Sequence, residues 1–549
     1  MTTGTLSIGS QPKRAASIRV LRCSCLFALI GCFAGESQIV EAAEVRPNIL
    51  IAISDDQSFA HVSKCGDSQF ATPAFDRVAR AGVRFTSAIT PSPGCSPMRA
   101  AFLSGRPTWA CGAAGTHASD FPLDLPTFPD RLARGGYHVG MTGKGWGPGK
   151  HVGWPHNPAG PGYQAASSKV PAGIHKRDYA ANFEAFLNDR QDQQPFCFWY
   201  GGFEPHRAYD PGIGRRNGID PDEIELPPFL ADAPEVREDV ADYLYEIQHF
   251  DAHLGRMLDQ LAERGLLENT LVIVTSDNGM PFPAAKANLY EYGIHMPLAI
   301  AWPRKWKGDR TCARVVSLLD VTATIADVAG VELTGATGTT LTTLLENSKK
   351  PTSWTDRAFS ARERHSSSRY NTRGYPGRAI RTPRHLLVIN ERPERMPAGP
   401  AQKFDSVLFG DDLAPKRFQL GPVGSAYHDI DDGPTLRYLV EHADDPNVAE
   451  SLALATAVRP RVELFDIVED PGCQTNLAED PEHASTRKAL LRELREHRLA
   501  TGDLRAVDAV AGEKYWEAFP RHSPLRWFPV PEGESAVAGP AWLERRRPR

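Results

Sequence analysis

Residues 47–56 read PNILIAISDD. The uninterrupted apolar run is typical of a parallel strand buried on both faces, and it ends in two adjacent carboxylates, Asp55 and Asp56. Open α/β sheets place their sites beyond the carboxyl ends of such strands. The stretch therefore predicts the fold class and one edge of a site, although paired Asp residues at a strand end also serve as helix caps.

A second stretch has the same design. Residues 271–279 read LVIVTSDNG, a further apolar strand that ends in Asp277 and Asn278. Asp-Asn-Gly alone is an ordinary turn signal. Carboxylate and amide oxygens, however, are hard ligands that suit Ca²⁺ or Mg²⁺ better than zinc. The two strand ends together predict a site for a hard cation.

The third stretch places a cysteine at the start of a predicted helix. Residues 95–105 read CSPMRAAFLSG, the pattern Cys-x-Pro-x-Arg followed by a short apolar helix and a glycine. A buried structural cysteine in front of a helix is the alternative interpretation. Arg99 lies four residues after Cys95, so both are expected on one side of the helix. The positive end of that helix favours anions.

This constellation resembles the sulfatases, the formylglycine-dependent family within the alkaline-phosphatase-like superfamily. The resemblance implies that a separate formylglycine-generating enzyme oxidises Cys95 to formylglycine, whose hydrated aldehyde attacks sulfur. It also implies that one Ca²⁺ is bound by the following residues: Asp55, Asp56, Asp277, the carbonyl of Asn278, and residue 95 itself.

Three basic residues are further candidates. Lys144 and His206 each follow a predicted strand, and Lys286 follows the second acidic strand end. Each alone is more often a solvated side chain. The resemblance implies that together they surround the sulfate, with Lys144 bridging nucleophile and sulfate and with His206 or Lys286 protonating the leaving group. It assigns Arg99 to steadying the hydrate of residue 95.

Within the family, residues 276–283 (SDNGMPFP) and 288–290 (NLY) most resemble the heparan N-sulfatase, or sulfamidase, branch. Residues 463–466 (ELFD) resemble the start of the family's C-terminal region. The branch implies an N-sulfated glucosamine at a chain end as substrate. An O-sulfated polysaccharide is the next alternative.

The chain also departs from the family pattern. Many sulfatases carry Lys-x-His where this chain has Trp146, and the histidine that often follows the signature is missing. His151 or His156 are candidates to replace the first, unless Trp146 stacks on a sugar instead. His117 is the candidate to replace the second.

Alternation of apolar strands and helical patterns predicts an α/β fold. We expect a large, doubly wound, mostly parallel sheet domain and a smaller C-terminal antiparallel α+β subdomain. The latter holds strands within residues 379–390 and a helix over 486–499, with Ser485 as N-cap. Other helices are expected at 72–81, 125–134, 179–190 and 236–264. The expected divisions are a signal peptide (1–43), a catalytic domain (44–375), a C-terminal subdomain (376–510) and an extension (511–549).

The first 43 residues have the layout of a secretory signal: basic residues, the apolar stretch Cys23–Ala34, and small residues up to Ala43. The apolar stretch is too short for a spanning helix, and no later segment approaches transmembrane length. The protein is therefore expected to be exported, to a periplasmic, secreted or lysosome-like location. Residues 29–32 (LIGC) resemble a lipobox, so a lipid anchor at Cys32 is the alternative.

The composition limits the partners. A net charge of −5 argues against a nucleic-acid partner. The expected partners are a sulfated carbohydrate and the formylglycine-generating enzyme, and no pattern assigns an oligomeric state. The cysteines that remain after export show no zinc or redox spacing, and conversion of Cys95 would leave an odd number.

Two other functions remain open at this point. Relatives with Cys-x-Pro-x-Arg hydrolyse phosphonate monoesters or phosphodiesters on the same fold. A catalytically inactive, sulfatase-like carbohydrate-binding protein is the third possibility. The presence of Cys95, both acidic strand ends and both lysines argues against loss of activity.

Overall fold

The computed structural model describes residues 46–63, 70–346, 354–402, 404–409, 415–424 and 426–523. Within these residues the main sheet has eight strands, which are β1 (Asn48–Ser54), β2 (Val83–Ile89), β3 (His138–Gly143), β4 (Phe196–Gly201), β5 (Thr270–Ser276), β6 (His295–Ala301), β7 (Arg310–Cys312) and β8 (Val316–Ser317). Their order is β3-β4-β1-β5-β6-β2-β7, with β8 paired to β2. Only β6 runs against its neighbours in this sheet, which is therefore mostly parallel, as predicted.

Helices cover both faces of the main sheet. Alternate residues of β1 point to opposite sides: Ile51 packs into the cluster that contains Phe102, and Leu50 packs into the cluster that contains Phe250. This two-residue period explains why the strand is apolar throughout, since neither face meets water. The doubly wound architecture is confirmed.

The described helices are α1 (Pro73–Ala81), α2 (Cys95–Ser104), α3 (Phe128–Arg134), α4 (Tyr179–Asp189), α5 (Ile213–Arg216), α6 (Pro234–Glu263), α7 (Glu291–Ile294), α8 (Leu318–Ala329), α9 (Thr342–Glu346), α10 (Pro434–Glu441), α11 (Pro446–Thr456), α12 (Ala484–Ala500), α13 (Leu504–Val507) and α14 (Ala509–Glu517). The expected long helix is confirmed as α6. Its apolar positions at three- and four-residue steps are buried, as the helical period requires.

A second, antiparallel sheet lies in the C-terminal part of the chain. Its strands, in the order β14-β11-β10-β9, are β9 (Ala358–Arg362), β10 (Gly377–Arg381), β11 (His385–Asn390) and β14 (Val462–Asp466). A two-stranded ribbon is formed by β12 (Phe404–Phe409) and β13 (Pro415–Leu420). The small sheet thus includes β9, ahead of the expected division at residue 376, and α14 crosses the division at residue 510. Both divisions stay predictions.

Two predicted helix starts are wrong. The helix expected from Leu125 begins at Phe128, because Thr127 is extended (φ −124°, ψ 147°) and Pro129 fits only the first turn. Ser485 is not an N-cap but lies inside α12. Asp480 instead caps a 3₁₀ turn that leads directly into the helix.

Several predictions fall outside the described residues: the signal peptide, Cys32, and the end of the extension. Among the helices that the structure does describe, none is both long and apolar enough to cross a membrane.

Glu291 provides a test of how the two sheets are joined. It opens α7, is buried, and accepts a 2.8 Å hydrogen bond from Arg381 of β10. Burial alone raises the pKa of this carboxyl, but Arg381 and His295 outweigh it and lower the pKa to about 2. We expect Glu291→Gln to lower the free energy of unfolding at pH 7 by about 3 kcal/mol.

The effect should depend on pH. Because the folded pKa lies below the ordinary value of 4.5, the stabilisation is complete above pH 4.5 and is lost as the pH falls towards 2. Urea unfolding of wild type and Glu291→Gln at several pH values measures this. The difference should shrink in acid, and a difference that stays constant would contradict the assignment. Glu496→Gln, at an exposed site, is the control.

Candidate active site

The two acidic strand ends lie side by side. β1 and β5 are parallel neighbours with Ser54 opposite Ser276, so the residues that follow each strand emerge together. The four polar side chains concerned are at most 1% exposed: Asp55, Asp56, Asp277 and Asn278. The strand register therefore brings the predicted cation ligands together.

Hydrogen bonds hold this group in place. Asp277 Oδ1 accepts from the backbone N–H of Asp56 at 3.1 Å and from that of Asn278 at 2.8 Å. The Asn278 side-chain amide donates to Asp56 Oδ1 at 2.7 Å. Asp56 also adopts a left-handed φ of 77°, which is uncommon outside glycine and concentrates at functional sites. These hydrogen bonds position the acidic side chains relative to one another.

Two oxygen atoms in this group have no hydrogen-bond partner within the described residues, Asp55 Oδ1 and Asn278 Oδ1. A buried acceptor without a partner is costly unless an ion or water meets it. Carboxylate oxygens of Asp55, Asp56 and Asp277 also lie within 4.8 Å of one another. Unpaired hard oxygens beside clustered carboxylates fit a divalent cation such as Ca²⁺ or Mg²⁺.

Cys95 is the first residue of α2 and is 2% exposed. Its Sγ lies 3.2 Å from Nε2 of His117. Burial raises the pKa of the Cys95 thiol to about 11, even though Lys144 and Lys286 act in the opposite direction. At neutral pH the unmodified side chain is therefore a neutral thiol, which is a weak nucleophile.

Arg99 lies one helical turn further and is completely buried. Its Nε donates to Asp277 Oδ2 at 2.8 Å, and its Nη1 donates to the Lys144 carbonyl at 2.6 Å. Burial lowers the pKa of the guanidinium, but the carboxylates of Asp277 and Asp55 outweigh it and raise the pKa. Arg99 thus remains charged and connects the nucleophile helix to the ends of β5 and β3.

Both predicted lysines reach the carboxylates. Lys144 Nζ lies 2.5 Å from Asp55 Oδ2, and Lys286 Nζ lies 2.6 Å from Asp56 Oδ2. Burial opposes the charge of each ammonium group, but the neighbouring acids raise both lysine pKa values. Two fixed positive charges therefore flank the acidic group, which suits an anionic substrate.

His206 stands at the open side of the site. Its side chain is 38% exposed, and Nε2 lies 3.9 Å from Asp56 Oδ2. Nδ1 lies 2.6 Å from the Arg207 carbonyl, which can only accept, so Nδ1 carries a proton. Nε2 is then the ring nitrogen that faces the site and is available to exchange a proton with a ligand.

The candidate for the second missing histidine contacts Cys95 in the structure. His117, the candidate after the signature, contacts Cys95, and Arg521 Nη1 donates to His117 Nδ1 at 3.2 Å. Burial, followed by His365 and Arg521, lowers the pKa of His117 well below its ordinary value. The ring is therefore neutral, and its Nε2–H points at residue 95.

Trp146 does not stack on a sugar, because it is 3% exposed. Its indole N–H donates to the Ser96 carbonyl at 3.0 Å, so the side chain supports the first turn of α2. His156 lines a different cleft, with Leu123 and Arg131. Among the described residues, no hydrogen bond joins His151 or His156 to Cys95, and their role stays a prediction.

Sequence reasoning missed three residues from the C-terminal part of the chain. Asp431 Oδ2 accepts from Lys286 at 2.7 Å. The ring of His365 lies 4.7 Å from that of His117, and Arg521 donates to the His365 carbonyl at 2.7 Å. No local motif marks these residues, since each follows a strand or helix far along the chain from Cys95.

A cavity of about 520 Å³ opens beside His206. Its polar lining includes His175, Lys176, Arg207 and Glu246. Burial raises the pKa of Glu246 to about 10, so this acid is neutral and can donate a hydrogen bond at pH 7. The cavity is large enough for a sugar residue and meets the acidic site at His206.

Comparison with known proteins places this geometry in a family. N-sulphoglucosamine sulphohydrolase of Homo sapiens is 28% identical over 522 residues, which cover 87% of this chain and 95% of that protein. An ulvan-active sulfatase of Formosa agariphila is 24% identical, over 83% of this chain and 76% of its own length.

Solved structures share the fold. BT4656, in complex with its substrate D-glucosamine-2-N,6-O-disulfate, matches with a TM-score of 0.57 at 20% identity and covers 84% of this chain and 99% of its own. Phosphonate monoester hydrolase from Silicibacter pomeroyi matches with a TM-score of 0.58 at 16% identity, over 84% and 96% of the two chains.

The family model described as Sulfatase matches residues 47–331, more than half of the chain. This range begins just before β1 and contains both acidic strand ends, the Cys95 helix, and the three basic residues predicted to surround sulfate. The chain therefore belongs to the sulfatase family of hydrolases.

Proposed function

We propose that this sulfatase removes sulfate groups from a sulfated carbohydrate after export, with a formylglycine made from Cys95 and one bound Ca²⁺. The observation that carries the proposal is the position of Cys95: it is buried at the start of α2, among three fixed cations and a group of hard oxygen ligands. Neighbouring cations suit an anionic substrate, and the hard oxygens suit the divalent ion.

The cation would be held by Asp55, Asp56, Asp277 and Asn278, with residue 95 as a further ligand. The unpaired oxygens Asp55 Oδ1 and Asn278 Oδ1 support this ligand set. When bound, a divalent ion supplies positive charge that offsets the negative oxygens of a sulfate group.

Residue 95 is the proposed nucleophile. A buried thiol with a pKa of about 11 does not suit that role. Formylglycine, once formed and hydrated, supplies an oxygen nucleophile that the unmodified side chain lacks. His117, whose Nε2–H faces residue 95, would hold the attacking group in position.

The protein's own positive charges would also stabilise the sulfate group during cleavage. Arg99, Lys144 and Lys286 are fixed by ion pairs before substrate arrives, so little reorganisation is needed when charge shifts onto the leaving group. Arg99 and Lys286 are buried and the Lys144 side chain is only 11% exposed, so little water reaches these charges and their effect is stronger. Arg99 steadies residue 95, and Lys144 and Lys286 bind the sulfate oxygens.

His206 is the proposed proton donor to the leaving group, with Lys286 as the second candidate. It is more exposed than the buried acids, so it faces the side from which a carbohydrate would enter. Nε2 is directed into the site because Nδ1 is engaged by the Arg207 carbonyl.

For the substrate we propose an N-sulfated glucosamine at a chain end. Two similar proteins support a glucosamine with N-linked sulfate. One is N-sulphoglucosamine sulphohydrolase, and the other is BT4656, whose structure contains a disulfated glucosamine. An O-sulfated polysaccharide is the second candidate, supported by the ulvan-active relative. The cavity beside His206 would receive the sugar ring.

Assay of N-sulfated glucosamine, O-sulfated glucosamine and an aryl phosphodiester side by side tests this proposal. We expect sulfate release from the N-sulfated sugar, with kcat/KM at least about 100-fold above that for the phosphodiester, because a sulfate group offers three non-bridging oxygens to the fixed cations and a phosphodiester offers two. Release from the O-sulfated sugar alone would overturn the N-sulfate proposal and leave the sulfatase proposal standing. Preference for the phosphodiester would favour the phosphonate or phosphodiester hydrolase alternative.

Export and maturation are part of the proposal. Residues 1–43 would be removed as a signal peptide, and a formylglycine-generating enzyme would act on the segment that begins at Cys95. Mass spectrometry of the amino terminus of the purified protein distinguishes cleavage near Ala43 from lipidation at Cys32.

A further inference from the structure

Asp431 reaches the site from the segment that precedes α10. Its Oδ2 accepts a hydrogen bond from Lys286 Nζ at 2.7 Å, and a side-chain oxygen lies within 4.8 Å of ligand atoms of both Asp56 and His206. Within the described part of the chain Lys286 is its one hydrogen-bond donor, so Oδ1 remains available to a ligand. Lys286 bridges Asp431 and Asp56, and within the described residues no buried side-chain oxygen of Asp56 or Asp431 lacks a partner.

The exposures of these side chains show which way the site opens. The side chains of Asp55, Asp56 and Asp277 are at most 1% exposed, and that of Lys286 is 5% exposed. Those of Asp431 and His206, by contrast, are 30% and 38% exposed. A sulfate group bound among the buried charges therefore leaves the rest of its substrate between Asp431 and His206. In such a complex these two side chains would flank the leaving group.

An acid at this position distinguishes two kinds of leaving group. Cleavage of an N-sulfate (RNH–SO₃⁻ + H₂O → RNH₃⁺ + SO₄²⁻) breaks the N–S bond, forms a new S–O bond and leaves an amine that ends as a cation. Cleavage of an O-sulfate (ROSO₃⁻ + H₂O → ROH + SO₄²⁻ + H⁺) leaves a neutral alcohol. A carboxylate beside the leaving atom stabilises the developing ammonium group and has no comparable effect on the alcohol.

Resting on the proposed function, we infer that Asp431 binds the amino group of the departing glucosamine and thereby makes this site selective for N-sulfate over O-sulfate. His206 supplies a proton to the nitrogen from one side, and Asp431 Oδ1 accepts an N–H of the amine from the other. Asp431 is in this sense a specificity-determining residue, separate from the groups that bind sulfate.

The test is Asp431→Asn, which keeps the size of the side chain and an acceptor for Lys286 but removes the charge. Lys286 keeps its ion pair with Asp56, so folding should be preserved, and thermal unfolding checks this. Asp432→Asn is the matched control, since the neighbouring side chain is 73% exposed and pairs with Arg437. We expect Asp431→Asn to lower kcat/KM for N-sulfated glucosamine by about 10- to 100-fold and to change that for O-sulfated glucosamine less than about 3-fold. Asp432→Asn should change neither.

A second measurement does not require turnover. Calorimetry should show that Asp431→Asn weakens binding of glucosamine by about tenfold or more, while binding of N-acetylglucosamine, which has no cationic amine, is unchanged. If Asp431→Asn lowered kcat/KM equally for N-sulfated and O-sulfated glucosamine, Asp431 would act only through Lys286. That result would overturn the inference, and so would no loss of kcat/KM at all. Absence of sulfate release by the wild-type enzyme would refute the proposed function, and the glucosamine titration would then decide the role of Asp431 alone.

Discussion

Replacing Cys95 with alanine is expected to abolish sulfate release, with kcat reduced on the order of 10⁴-fold or more. The proposed nucleophile derives from this side chain, which contacts His117 and begins the helix that carries Arg99. A colorimetric or ion-chromatographic sulfate assay measures the loss. In active wild-type material, the peptide that contains residue 95 should be lighter by the difference between a thiol-bearing and an aldehyde-bearing side chain.

Cys312→Ala is the control for this experiment, because Cys312 is a half-buried free cysteine at the end of β7. Its removal should leave both activity and the mass of the Cys95 peptide unchanged. Wild-type activity from protein whose Cys95 is wholly unmodified would refute the formylglycine proposal, and retained activity in Cys95→Ala would refute residue 95 as the nucleophile.

Loss of the divalent cation is expected to have the second-largest effect. Asp277→Asn should remove the bound metal and lower kcat by about 1000-fold or more, because the ion's charge on the sulfate oxygens is lost with it. Asp277 also positions its neighbours, since it accepts hydrogen bonds from Asp56, Asn278 and Arg99. Elemental analysis of wild type should give one Ca²⁺ per chain, and chelation followed by Ca²⁺ addition should abolish and restore activity.

Ca²⁺ should also stabilise the folded wild-type protein. An ion present at 100 times its Kd adds about 2.7 kcal/mol to the free energy of unfolding, which a thermal scan detects. Asp251→Asn is the control, since Asp251 is a buried acid that instead accepts from the first backbone N–H groups of α1. That variant should lose stability and keep its metal. Full activity in all four single alanine variants of the proposed ligands would refute the site.

Much of the fold could be predicted because its signals are local. The apolar strands β1 and β5 and the long helix α6 each carry a clear period, and burial on both faces or on one face follows from it. The polar residues at the strand ends also predict the position of the site, because neighbouring parallel strands finish at the same edge of the sheet. The predicted cation ligands and basic residues accordingly lie together in the structure.

Element ends were less predictable, because they depend on single capping contacts. Ser485 has a side chain suited to an N-cap, yet Asp480 caps the preceding turn and the helix begins before Ser485 is reached. Trp146 was open to two interpretations. Its burial and its hydrogen bond to Ser96 exclude contact with a sugar, and no pattern along the chain predicts that bond.

The sequence by itself determined the family, the mostly parallel sheet, and the set of acids and bases at the ends of β1, β3, β4 and β5, since strand period and a contiguous signature specify them. Only the tertiary structure decided that His365, Asp431 and Arg521 complete this site. These residues come from loops and a tail whose positions are set by packing against elements hundreds of residues earlier. No local spacing encodes such contacts, because they arise from the burial and charge pairing of distant segments.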